Sequence, residues 1–277
     1  MLNVKDIRLT EEELAKCINF SSTSAPNQQA IEFGQRTTAA RSSREIARDN
    51  LIGKIAEVAF SKMMRENYGI EVALDFNYYP LGQWDSEDAV INGWRIDVKG
   101  TRKGGKWMLI EWNKLNFRQR DNNLSHIYVM FSVDWDRNTD LPTGKVSYEG
   151  AASLEKLRHD CPTTRVLQKG DFIPGTQTRL QADNYGIHFN NLYKHLNHLV
   201  AFLTDNDPPV TLTESFCNPY TGKSTTEILS TDKSASTNCA TIQARKAGFF
   251  SSAMAWFSNL HHSKKVSLNK EHKDDNK

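Results

Sequence analysis

The chain has 277 residues, of which 38% are hydrophobic and 25% charged, the balance of an ordinary globular protein rather than a disordered or fibrous one. A net charge of +2 supplies no global field for polyanions, so any phosphate-binding surface must be local. No apolar run approaches the roughly 18 residues that span a bilayer, and the start, Met1-Leu-Asn-Val-Lys-Asp6, lacks the apolar core of a signal peptide; both point to a cytoplasmic protein without a transmembrane segment.

In chain order, Thr10-Glu-Glu-Glu13 reads as a capping box that opens a helix through about Phe20. The polar stretch 21–27 reads as a loop. Residues 42–67 form a long helix whose apolar face is Ile52, Ile55, Ala56, Ala59, Phe60 and Met63, with Arg41, Arg44 and Arg48 near its start. Strands are expected over 71–76 and 88–99, then over the β-rich runs 106–112 and 126–133. Between those runs, 113–123 is polar, with room for one turn of helix. A short strand at 145–148, a short helix at 151–159 and late edge strands at 165–167 and 187–189 follow. Leu192, Leu196, Leu199, Val200 and Leu203 then repeat at helical spacing.

Composition changes after Thr204, where Ser, Thr, Asp and Pro dominate. The chain thus divides into an N-terminal helix and loop (1–40), an α/β core (41–204), a polar linker (205–240), an amphipathic interaction helix (241–262) and a charged tail (263–277). Ile242, Phe249, Ala253, Trp256, Phe257 and Leu260 give that helix an apolar stripe. Such a stripe docks on its own core, on a second copy or partner protein, or on a membrane surface. Its moderate length and the absence of a dense basic face favour docking on protein. Cys17, Cys161, Cys217 and Cys239 form no Cys-x-x-Cys pair, which argues against a local zinc site. His195-x-x-His198 has helical metal-ligand spacing, but no third ligand accompanies it.

The chemistry concentrates in Asp88-Ala-Val-Ile-Asn-Gly-Trp-Arg-Ile-Asp97-Val-Lys99. Asn92-Gly93 is the strongest short-range signal for a two-residue hairpin, since both positions need positive φ. Counting out from the turn sets Ile91 opposite Trp94, Val90 opposite Arg95, Ala89 opposite Ile96 and Asp88 opposite Asp97. Asp97 and Lys99 then share a face. Like charges opposite one another repel, and a divalent cation between the two aspartates would remove the repulsion. Upstream, Glu57 borders the apolar face of the long helix one turn after Gly53. Glycine there costs about 1 kcal/mol, which close packing of helix on sheet at Gly53 would offset, bringing Glu57 towards the sheet. The competing reading of Glu57 is a surface carboxylate paired with Lys54 or Ser61. Arg102, Lys103 and Lys106 flank Gly104-Gly105 and, with Arg44, are candidates to touch a nucleic-acid backbone; an ordinary solvated glycine turn is the alternative.

Helix glutamate, hairpin aspartate and Asp-x-Lys in this order resemble the PD-(D/E)xK phosphodiesterase superfamily. The resemblance carries motif residues over 44–135 and extends more loosely to Thr204. It implies a restriction-endonuclease-like core, a central mixed β-sheet flanked by helices, and Mg²⁺- or Mn²⁺-dependent hydrolysis of DNA phosphodiesters. Asp88 and Asp97 match the metal-binding carboxylates, and the Val98 backbone carbonyl completes the site as it does in relatives. Glu57 matches the glutamate of the first core helix, which places a second metal or water. Lys99 matches the lysine that stabilises transition-state charge or orients water. One departure is that Glu87, not proline, precedes Asp88. Asp85 is therefore a rival first carboxylate, although by register it would lie opposite Gly100. The superfamily serves restriction, repair and antiviral defence. The alternative is a catalytically inactive nucleic-acid-binding or scaffold protein on the same fold.

Overall fold

The computed structural model describes residues 6–28, 42–77, 88–111, 125–157 and 162–208, all of them in the first of two units, Met1–Gly222. Asp85, the polar stretch 113–123, three of the four cysteines and the amphipathic stretch 241–262 lie outside the described residues.

Two helices come first. Helix α1 spans Glu11–Gln28 and opens on the expected capping box, with Thr10 N–H donating to Glu13 at 2.7 Å and Glu13 N–H to the Thr10 hydroxyl at 3.1 Å. It does not stop at Phe20, and the loop expected over 21–27 is helical. The hydroxyls of Ser21 and Ser22 donate to the Ile18 carbonyl and that of Thr23 to the Asn19 carbonyl. Polar side chains that often end helices here fold back on the preceding turn instead. Helix α2 spans Ser43–Tyr68, again behind a capping box, formed by Ser42 and Glu45. Gly69 ends it at φ 67°, and Ile70 N–H reaches back to the Met64 carbonyl, the left-handed C-terminal closure for which glycine is suited.

The strands are β1 (Asp6–Arg8), β2 (Ala89–Ile91), β3 (Trp94–Arg102), β4 (Trp107–Glu111), β5 (Ile127–Asp136), β6 (Leu141–Ser153), β7 (Thr164–Leu167) and β8 (Asn184–His188). They form a five-stranded sheet in the order β1-β6-β5-β3-β2 and a three-stranded sheet in the order β4-β8-β7. In the larger sheet β3 and β5 run parallel and the other neighbours antiparallel. A mixed, curled sheet with flanking helices is thus observed. Among the described residues no helix is long and apolar enough to cross a membrane.

Several expected elements differ. Residues 71–76 form no strand. Side chains of α2 take carbonyls that a neighbouring strand would use: Ser61 Oγ donates to Val72 and Lys54 Nζ to Asp75. The segment 145–148 is the middle of the long β6, which takes in Ala151–Ser153 and leaves only one 3-10 turn, Leu154–Leu157, where a helix was expected. Pairing to β5 and to Tyr193 holds Ala151 extended. The two late strands do not edge the main sheet. They join β4, and β8 is the centre of that second sheet because it pairs on both sides. Helix α3, Leu196–Asp205, starts one turn later than Leu192.

One face of the large sheet carries α2 through Ile52, Ile55, Ala56, Ala59, Phe60 and Met63, all buried, with the Phe60 and Phe131 rings 6.3 Å apart. The other face joins the small sheet in a cluster that includes Tyr128, Met130, Met108, Ile110, Tyr185 and Ile187. The close approach of helix to sheet is made at Gly100 rather than at Gly53. A Cβ on Gly100 would lie 2.7 Å from the Ile52 carbonyl oxygen and 3.1 Å from Ala56 Cβ, whereas one on Gly53 would meet nothing within 4 Å.

This contrast generates a paired prediction. Gly100→Ala should lower stability by about 1–3 kcal/mol, because the new methyl meets backbone that cannot rotate away. Gly53→Ala should raise stability by about 0.5–1 kcal/mol through helix propensity alone. Urea denaturation of both variants checks this, and a destabilised Gly53→Ala would contradict the assignment of the contact.

Candidate functional site

The turn at the sheet edge forms as counted. Asn92 and Gly93 take φ 46° and 79°, and the register is Ala89 with Ile96, Val90 with Arg95 and Ile91 with Trp94. The hairpin tip is fastened from behind. Asn92 Nδ2 donates to the carbonyls of Thr204 and Asn206, and Trp94 Nε1 donates to Asn206 at 2.7 Å. A Cβ on Gly93 would come within 3.2 Å of Pro208 Cγ. The stretch expected as a linker from residue 205 therefore begins with two residues, Asn206 and Pro208, that touch the hairpin.

Asp88 stands just before β2, where the next hydrogen-bonding position of β3 is Val98. Its carboxylate takes the place of a strand there, with Oδ2 accepting from Val98 N–H at 2.6 Å. The Val98 carbonyl lies on the same strand edge as its N–H. Asp97 and Lys99 form a direct ion pair, their side chains 20% and 24% exposed. Pairing of Asp97 with Tyr128 and of Lys99 with Met130 puts both on the sheet face away from α2. Glu57 approaches the same edge from the α2 side. The candidate residues thus lie about one edge of β3, which beyond Ile96 pairs with no further strand on the β2 side among the described residues, and the helix glutamate does not share a face with the Asp-x-Lys pair.

The electrostatics register this grouping. Burial, then the charges of Asp97 and Glu57, push the Asp88 carboxyl up to about 8 against the pull of Lys99. Burial lowers Lys99, but the charges of Asp97 and Asp88 outweigh it and hold the ammonium above its ordinary range. Glu57 acts on both by its charge, while its Oε2 is bound by Lys54 Nζ at 2.5 Å. The Lys54 side chain is only 8% exposed. Its ammonium also donates to the Asp75 carbonyl at 2.7 Å and lies 4.6 Å and 5.2 Å from the Phe20 and Phe76 ring centres. Among the described residues no three His, Cys, Asp or Glu side chains stand close enough to cage a metal ion. Asp88, Asp97 and the Val98 carbonyl are oxygen donors, the type that a hard cation takes. Burial is the first cause of the raised Asp88, and the charges of Asp97 and Glu57 add to it.

Beyond Lys99 the basic candidates part company. Lys106 is exposed. Lys103 is 67% exposed and lies 3.4 Å from Asp134. Arg102 and Arg44 instead converge on Asp140, at 2.8 Å and 3.0 Å, and Arg48 joins them at 2.7 Å. Trp135 Nε1 donates to the same carboxylate at 3.1 Å, and its ring lies 4.1 Å from the Arg102 guanidinium. Hydrogen bonds from Arg102 and Trp135, with the Arg48 and Arg102 charges, hold Asp140 down at about 2. Sequence reasoning missed Asp140 and Trp135, because their arginine partners on α2 lie up to 96 residues away. The His195 and His198 rings stack on each other at 5.6 Å.

Comparison of the chain with protein-family models, with curated proteins and with solved structures finds no match.

The Asp88 environment predicts how stability follows pH. An unfolded aspartate ionises near ~4, whereas folded Asp88 keeps its proton up to about 8. Between these values the folded state binds more protons than the unfolded state, so stability falls as pH rises and levels off above about 8. Urea denaturation in EDTA at several pH values should show this downward slope in the wild type and lose that part of it in Asp88→Asn. Equal slopes in the two proteins would show that Asp88 ionises normally.

Proposed function

We propose that this chain is a divalent-metal-dependent nuclease that hydrolyses DNA phosphodiester bonds on a restriction-endonuclease-like core. One observation carries the reading. The Asn92-Gly93 register and the Asp88–Val98 hydrogen bond put Asp88 at the β2-side edge of β3, beside the Asp97–Lys99 pair. Asp88 and Asp97, with the Val98 carbonyl, would hold Mg²⁺ or Mn²⁺, an ion that keeps several waters and needs few protein ligands. When bound, the ion supplies Lewis-acid charge to the phosphate and lowers the pKa of a water.

The side chains do the rest. Lys99 remains an ammonium and donates to the phosphate oxygens where charge grows in the transition state. Asp97 aims that ammonium through their ion pair. Glu57, held by Lys54 at 2.5 Å, adds negative charge on the α2 side and places a water or a second cation. The Phe20 and Phe76 rings around Lys54 keep this pair out of water, which strengthens it. A binding protein that cuts nothing is the competing reading, favoured by the two carboxylate–lysine pairs, since these already neutralise Asp97 and Glu57.

Nicking of supercoiled plasmid decides between them. The wild type should cut in Mg²⁺ and stop in EDTA. Asp97→Ala and Lys99→Ala should each lose at least about 100-fold in rate while keeping the wild-type circular dichroism spectrum. Asp88→Asn should lose far more activity than Asp85→Asn; the reverse ranking would make Asp85 the ligand. An inactive wild type with intact DNA binding would establish the competing reading.

A further inference from the structure

The Arg44, Arg48 and Arg102 guanidiniums meet a single carboxylate, Asp140. One negative charge balances only one of three positive charges. Exposed ion pairs of this kind add little stability, so holding three arginines together against their own repulsion calls for another anion. Room for one exists: Arg44 is 79% exposed, and Arg102 and Asp140 remain about a third exposed. Arg102 also carries an unused donor. Its Nε is buried and finds no acceptor among the described residues. The Trp135 ring covers one face of that guanidinium at 4.1 Å and fixes its plane, so an oxygen anion would approach the exposed part of Arg102 and not the buried Nε.

Two rulers place the cluster relative to the candidate site. Along β3, Arg102 is three residues beyond Lys99, about 10 Å at strand rise. Along α2, Arg48 is nine residues before Glu57, about 14 Å at helix rise. Arg102 shares the α2 face of the sheet with Gly100, opposite to Lys99, so the cluster lies a few nucleotides away at ~3.4 Å of rise per nucleotide, and one duplex would have to pass round the edge of β3 to meet both.

We propose that Arg44, Arg48 and Arg102 form a second phosphate site, which grips a non-scissile phosphate of the DNA whose scissile phosphate sits at Lys99, and that Asp140 is its resident counter-ion. Naming DNA as the ligand rests on the nuclease reading. Asp140 sits at φ 52°, a conformation asparagine also accepts, so Asp140→Asn removes the charge without breaking the turn.

The test is fluorescence anisotropy with a fluorescein-labelled 20-base-pair duplex, in EDTA, from 50 to 300 mM KCl. Arg48→Ala and Arg102→Ala should each weaken binding several-fold at low salt and reduce the log–log salt slope by about one. Arg48→Lys should recover most of the slope, because a point charge remains. Asp140→Asn should bind more tightly than wild type, and inorganic phosphate should raise its melting temperature more than that of wild type. A purely structural cluster gives the opposite pattern: Asp140→Asn weaker or unchanged in binding, and folded arginine variants with wild-type affinity and slope. Either result overturns the site. So does a wild type that fails to bind the duplex at 50 mM KCl. The two readings fail separately. Arginine-dependent binding without plasmid nicking leaves this site standing and removes the nuclease, whereas nicking lost in Asp97→Ala, with arginine variants binding like wild type, does the reverse.

Discussion

Helix α2 and strand β3 meet where Gly100 has no side chain, with the Ile52 carbonyl 2.7 Å from the place a Cβ would occupy. At that separation neither element can slide, because a shift along the strand would bring Val98 or Arg102 against helix backbone. The contact sets the height of α2 over the sheet, and with it the position of everything the helix carries. Glu57 lies one side of the contact, at the level of the free β3 edge. Arg44 and Arg48 lie on the other, at the level of Arg102.

The hairpin edge is arranged around charge that stays only partly matched. Lys99 answers Asp97 and Lys54 answers Glu57. Asp88 forms no ion pair among the described residues and accepts the Val98 amide. Burial, then the charges of Asp97 and Glu57, push its carboxyl up to about 8, and Lys99 and the Val98 amide offset this only in part. At the arginine cluster the imbalance has the opposite sign, three cations on one carboxylate. A chain whose net charge is only +2 therefore separates its charge locally, into an acidic edge and a basic cluster.

Features whose physics is short-range could be read from the sequence. Asn92-Gly93 announced its turn because few residues tolerate positive φ at both positions, and the register followed by counting. The Thr10–Glu13 capping box and the apolar face of α2 came from spacings of three and four residues. Even the Lys54–Glu57 pair was visible as an i, i+3 possibility. The errors fell where a distant partner decided the outcome. Ser21 to Thr23 look like loop residues until their hydroxyls bond back into the helix. Residues 71–76 alternate like a strand, but α2 side chains take their carbonyls. The glycine that permits close packing is Gly100, not Gly53, and which glycine faces a neighbour cannot be known before the neighbour is placed.

By itself the sequence determined where α1 and α2 begin, the hairpin and its register, since each depends on contacts within a few positions of the chain. Tertiary structure alone decided that β3 runs parallel to β5, that the late strands pair with β4 in a second sheet, and that Glu57 reaches the edge from the face opposite Asp97 and Lys99. It alone brought Arg44, Arg48 and Arg102 to Asp140. The reason is common to all of these: strand pairing and ion pairing between remote segments are chosen by which surfaces the folded chain brings together, and no local preference encodes that choice.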